Sequence, residues 1–136
     1  MQSFSNRRKL LVVILALSVL VTFLHLTALR YALYYVVPWF DVGMHFLGGA
    51  LVALMGVWCA RFFLFGEAIP GKHILLIVLV AAGVIGVLWE VFEYFTGLRT
   101  AYNYPLDTLK DLIMDLLGAM SVYWITVHSR VRSVLE

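Results

Sequence analysis

The sequence predicts an all-α membrane protein: one integral membrane domain over residues 1–136, folded as a four-transmembrane-helix bundle with both termini in the cytoplasm. Three observations carry this. The chain is 63% hydrophobic and only 13% charged, far from the composition of a soluble domain, and its mean hydropathy is +0.96. Its apolar residues fall into four runs, each near the ~20 residues a helix needs to cross a bilayer. Its basic residues also segregate to one side of those runs, as cytoplasmic loops require.

The first span is expected over Leu10–Leu33, behind the basic stretch Asn6-Arg7-Arg8-Lys9. That arrangement resembles a secretory signal. The apolar run nevertheless continues past Phe23 for a full span and shows no small-x-small cleavage site, so an uncleaved helix is expected. The break at Val37-Pro38 precedes span two, Trp39–Phe65, which stops at Gly66-Glu67-Ala68-Ile69-Pro70-Gly71. Span three covers His73–Phe95, and the polar stretch from Thr96 to Pro105 separates it from span four, Leu106–Val127. Cys59, the single cysteine, excludes an internal disulfide and reads as buried filler.

If four spans alternate, Arg7, Arg8, Lys9, Arg61, Lys72, Arg130 and Arg132 share one side, and Arg30, Arg99 and Lys110 the other. The first side is then the cytoplasm. Tyr31, Tyr34, Tyr35, Tyr94, Tyr102 and Tyr104 cluster at the opposite interface, where amphipathic rings prefer to sit. A net charge of +2 without a basic cluster gives no footprint for nucleic acid. No nucleophile elbow, phosphate-cradling loop or Cys–His pair is present, which disfavours a covalent-nucleophile enzyme.

Acid in the spans is the functional signal. Asp41 and His45 open span two, Glu90 and Glu93 close span three, and Asp107, Asp111 and Asp115 run down from the start of span four. Each set keeps helical spacing, so each shares one face. With alternating spans all of them converge at the outer side, where His25 of span one reaches a similar depth. Asp115 would lie roughly 12 Å along the helix from Asp107. Small residues set the direction of these faces: Asp41, His45, Gly48 and Val52; Gly83, Gly86, Glu90, Glu93 and Gly97; Asp111, Asp115, Gly118 and Val122. Glycine lets membrane helices approach closely, so the acids are expected to point inward.

An acid at mid-membrane costs about 2.5–3.5 kcal/mol even on the gentler insertion scale. Six of them would approach the whole stability of a typical protein, about 5–15 kcal/mol. Arg30, Arg99 and Lys110 could neutralise half as a salt-bridge lock; a bound metal, or retained protons, would close the rest. Carboxylates with an imidazole suit Mg, Mn, Fe or Zn. The expected ligands are Asp41, His45, Glu90, Glu93, Asp111 and Asp115, with Asp107, His25 and Arg99 in secondary positions. Glu90 or Glu93 is the expected general base, and Arg99 a candidate grip on an anionic head group. Trp89 reads as packing or as the wall of a lipid pocket. His73 and His128 read as interfacial residues of the cytoplasmic ends.

The stretches Asp41-Val-Gly-Met-His45-Phe-Leu-Gly-Gly49, Trp89-Glu90-Val-Phe-Glu93 and Asp107-Thr-Leu-Lys-Asp111-Leu-Ile-Met-Asp115-Leu-Leu-Gly118, taken in order, resemble the YjdF-like small bacterial inner-membrane proteins. More distantly they are similar to VanZ-like proteins associated with teicoplanin resistance. The resemblance spans about Trp39 to Tyr123 and implies a bacterial inner-membrane location at the cell envelope. Against the VanZ-like pattern, Val42 stands where Lys is expected, Glu93 where Gln is usual and Asp115 where Asn is usual, which makes this site more acidic.

Three functions are compatible with these residues. One is a metal-dependent enzyme acting on lipid or lipid-linked envelope precursors. Another is a proton- or cation-coupled transporter, which at this size requires a homo-oligomer. The third is a non-catalytic assembly subunit with a polar lock.

Overall fold

A computed structural model describes the backbone of residues 2–37, 39–64, 69–97 and 104–135, and the side chains of 8–37, 39–64, 69–97 and 105–128. The expected turn residues Pro38, 66–68 and 98–103, and with them Arg99, lie outside these ranges, as do the side chains of Arg7, Arg130 and Arg132. Among the described residues there is helix and no strand: α1 (Gln2–Tyr31), a short α2 (Leu33–Val36), α3 (Phe40–Cys59) continuing as a π turn over Ala60–Leu64, α4 (Gly71–Thr96) and α5 (Tyr104–Leu135).

Local chemistry sets the ends. The first helix stops at Tyr31, two residues before the expected boundary, because Ala32 adopts a left-handed φ of 55°. Its carbonyl then accepts the Tyr35 and Val36 amides, which starts α2 in a new direction. Pro70, without an amide proton to lose, precedes α4 and accepts the His73 and Ile74 amides through its carbonyl. Gly97 closes α4, donating its amide to Glu93 O at 3.0 Å.

The pairings between helices fix their directions. His45 of α3 faces Asp115 of α5, and four residues on, Gly49 meets the Asp115 backbone while Gly118 meets Phe46 and Ala50. Positions therefore advance together, and α3 and α5 run parallel. Gly56 of α3 meets Ile77 and Ala81 of α4, whereas Gly86 and Glu90 further along α4 meet Asp115 and Thr108 near the start of α5. So α4 runs against both. The two glycines of the α3–α5 crossing bring backbone onto backbone, the close packing that small residues permit between membrane helices. The core is correspondingly small-chained, with Ala50, Ala53, Val57, Val78, Ala82 and Ala119 at its centre.

Outside that core the surface is apolar. Val19, Phe23, Leu64 and Phe95 are at least 65% exposed. Three described helices are long and apolar enough to cross a membrane: Arg8–Tyr31, Phe40–Leu64 and Gly71–Thr96, with mean hydropathies of 2.6, 1.8 and 2.7. α1 packs on α3 and leaves nearly all of its apolar surface outward, with only 6% of its most apolar stretch buried. Such a helix has its natural solvent in lipid. α5 is long enough to join them, but its aspartates and Lys110 hold down its apolar character.

Two expectations about faces need correction. The buried line of α3 is Asp41, His45, Gly49, Ala53, Val57, in steps of four, so Gly49 and not Gly48 is the contact glycine. Likewise α4 buries Ile74, Val78, Ala82, Gly86 and Glu90, leaving Gly83 with open space beside it and Gly97 exposed. Both helices meet their partners along a steeper row than a 3-4 seam describes. Cys59 is exposed for the same reason: Val57 and Ala60 face inward, and position 59 points away from both.

Candidate metal centre

The antiparallel course of α4 places the N-terminal ends of α3 and α5 beside the C-terminal end of α4. Each buried line is apolar along most of its length and charged at that shared end. Asp41, His45, Glu90, Asp111 and Asp115 are all buried, at 8%, 5%, 5%, 1% and 6% exposure; Glu93 is half-buried. The acids differ in how their helices treat them. Asp41 and Asp107 lie in first turns, where the positive end of the helix dipole favours a carboxylate. Glu90 and Glu93 lie in the last turns of α4, at the negative end, where acid is disfavoured. Two acids at the unfavourable end of α4 break the local rule for helix termini, as functional sites often do.

His45 is the hub. Its Nδ1 lies 3.3 Å from Asp115 Oδ2, and its Nε2 lies 3.8 Å from Asp41 Oδ1 and 3.9 Å from Glu90 Oε1. Where Nδ1 donates to the Asp115 carboxylate, Nε2 is left facing the other two acids. Carboxylate–imidazole pairs of this kind orient histidines that ligate metals. The two Nε2 separations exceed a hydrogen bond. They match the ~3–4 Å between atoms that each sit about 2 Å from a common ion.

The remaining acids are held individually. Thr108 Oγ1 donates to Glu90 Oε2 at 2.6 Å, and Trp89 Nε1 donates to Glu93 Oε1 at 3.0 Å. Lys110 pairs with Asp107 and lies 3.8 Å from Asp111 Oδ1. That Asp111 oxygen is buried and accepts no hydrogen bond from the described residues. Two groups have ligand atoms within 4.8 Å of one another, Asp41–His45–Asp111 and His45–Glu90–Glu93, and they share His45. A buried cluster of carboxylates and histidine that could hold a metal ion is therefore present.

Of the other expected site residues, Asp115 stands behind the imidazole and belongs to neither ligand group; Asp107 is engaged by Lys110. His25 Nδ1 shares a 2.7 Å hydrogen bond with the Tyr34 hydroxyl and packs edge-on against Trp89, also outside both groups. Burial, with Asp41 and Glu93 nearby, raises the Tyr34 phenol above its ordinary pKa and keeps it a neutral hydroxyl. His73 and His128 are exposed at the far end. Two contributors escape sequence reasoning. No spacing rule joins Thr108 to Glu90, and Tyr34 looks like one more interfacial tyrosine until α2 folds it back toward His25.

An apolar cavity of about 280 Å³ leads to this cluster. Val21, Thr22 and His25 of α1 form one wall, Ile85 and Trp89 of α4 the other, and Asp41, His45, Glu93 and Asp115 lie along its polar end. Trp89 thus both packs and walls a pocket.

No curated protein and no solved structure matches the chain. A family model described as "Predicted membrane protein (DUF2238)" matches residues 3–132, covering all three apolar helices and the whole acidic cluster, and the chain belongs to that family of predicted membrane proteins.

Proposed function

We propose that the chain is a four-span protein of the bacterial inner membrane, with α5 as the fourth span. In this reading it holds a divalent cation at the His45 cluster and uses it to process a lipid or lipid-linked envelope precursor. The observation that carries this is the imidazole geometry: Nδ1 backed by Asp115, with Nε2 facing Asp41 and Glu90 at ligand-to-ligand distances. The buried Asp111 oxygen without a hydrogen bond is a second pointer, since a buried acceptor is normally satisfied. Asp41, His45, Asp111, Glu90 and Glu93 would be the ligand set, and the cation would supply Lewis-acid polarisation of a phosphoryl or carbonyl oxygen. Glu93 is the better placed general base, because it lines the cavity and Glu90 does not. The resemblance to YjdF-like and VanZ-like proteins supports an envelope-facing site.

Purified protein is expected to carry a divalent ion, measurable by elemental mass spectrometry, and to lose thermal stability in chelator. Protein that carries none and melts unchanged in chelator would end the metal reading. The same acids would then be read as proton or cation carriers, to be examined by flux in proteoliposomes.

Topology is tested separately. The basic residues Arg7, Arg8, Lys9, Arg61, Lys72, Arg130 and Arg132 favour cytoplasmic termini. A reporter fused after Thr100 should therefore read as external. A cytoplasmic signal there would turn the acidic end toward the cytoplasm and remove the envelope substrate.

A further inference from the structure

We propose that the 280 Å³ cavity seats one hydrocarbon chain of a bilayer amphiphile, entering sideways between α1 and α4, with its anionic head held at the His45 cluster. The proposal rests on the cation reading for the head group and on the cavity itself for the chain.

The cavity is a tapering environment. Val21, Leu51, Val52 and Ile85 line its apolar part, and Asp41, His45, Glu93 and Asp115 its other end. A ligand filling it must be apolar along most of its length and polar at one end. The volume lies near the lower end of ligand pockets, about 300–1,000 Å³, so it suits one chain and not a whole diacyl lipid. Part of its lining reaches the outer surface. Ile85 and Trp89 on the α4 wall are 46% and 38% exposed, and α1 and α4 are both candidate membrane spans. An amphiphile in the bilayer therefore reaches the cavity without leaving lipid.

The head end has a separate approach. A smaller cavity of about 80 Å³ shares His25, Tyr34, Asp41 and Glu93 with the first and continues to Ala32 and Tyr35 at the α1–α2 turn. The hydrogen-bonded His25–Tyr34 pair thus lines both spaces.

Charge decides the head. With Lys110 engaged by Asp107 and Asp111, the acids Asp41, Glu93 and Asp115 line this end, and Glu90 and Asp111 join them around His45. A bare phosphate would be repelled by them, whereas a cation shared between those acids and the phosphate reverses the sign. Retention of a phosphate-headed amphiphile should therefore require metal. An amine-headed amphiphile of the same chain should bind without it.

Two photoreactive probes test this, a dodecyl phosphate and a dodecylamine, each with a diazirine near the chain end. Each is added to the purified full chain, with metal content measured on the same sample. The phosphate probe should label the Val21 and Ile85 walls saturably, and at least tenfold less after chelation. Val52→Phe should lower labelling by either probe at least tenfold while metal stoichiometry holds. Gly48→Leu provides a second filling variant, since a Cβ there meets only Asp115 Oδ1, at 4.0 Å. Labelling spread over the outward residues Val19, Phe23 and Val84, not competed by excess dodecyl phosphate, would overturn the proposal. Metal bound with neither probe on the walls would also overturn it and leave the cation reading standing. Wall labelling by the phosphate probe that chelation leaves unchanged would do the reverse, ending the cation reading and keeping the chain seat.

Discussion

Gly49→Ala and Gly118→Ala should each destabilise the protein at or beyond the upper end of the usual overpacking cost, about 1–3 kcal/mol. A Cβ at residue 49 would fall on the Asp115 carbonyl group, and one at residue 118 on the Phe46 carbonyl with Ala50 N at 2.9 Å. Those neighbours are main chain in two long helices, so neither can rotate away as a side-chain tip would. Relief would require α3 and α5 to separate, which also draws His45 from Asp115. Gly83→Ala is the matched control. Its Cβ meets nothing within 4 Å, and alanine in a helix gains about 0.5–1 kcal/mol over glycine. Unfolding in mild detergent should rank Gly83→Ala at or above wild type and the other two well below it. A Gly49→Ala protein as stable as wild type would mean that α3 and α5 do not cross where described.

The second large effect is expected at His45. It is the residue common to both candidate ligand groups, so His45→Gln should lower metal affinity by more than about 100-fold, the upper range for losing even a supporting residue. Asp111→Asn removes a ligand from one group only and should cost less. Asp115→Asn touches neither group but loosens the imidazole, and a loss of about 10–100-fold is expected. Titration calorimetry on folded variants reads this ranking directly. A salt-bridge lock predicts another pattern: unchanged metal content in all three, with destabilisation matched by Lys110→Met, because Lys110 contacts Asp107 and Asp111. Equal metal content in wild type and His45→Gln would sink the centre.

The positions of the acids were legible from sequence because lipid leaves so few ways to place them. Charges three and four residues apart on an apolar helix must share a face, and three such faces with alternating spans must meet at one end. Asp41, His45, Glu90, Asp111 and Asp115 are buried together on those terms. The seam within each helix was less legible. Gly48 and Gly49 are equivalent to a pattern of small residues, and the choice between them depends on the crossing of α3 over α5.

Sequence by itself determined that this chain is helical, that its long apolar runs belong in lipid, and which residues form its buried acidic cluster. Composition and periodicity are local properties, and a bilayer turns them into strong constraints. Only the tertiary structure decided the roles. It put Asp115 behind the imidazole and Asp41 and Glu90 before it, gave Asp107 to Lys110, tied Thr108 to Glu90 and folded Tyr34 onto His25. It also opened an apolar cavity bordered by α1, α3 and α4. Each of these depends on distances between residues far apart in the chain, set by how closely the glycine-bearing backbones approach, and no spacing along one helix encodes them.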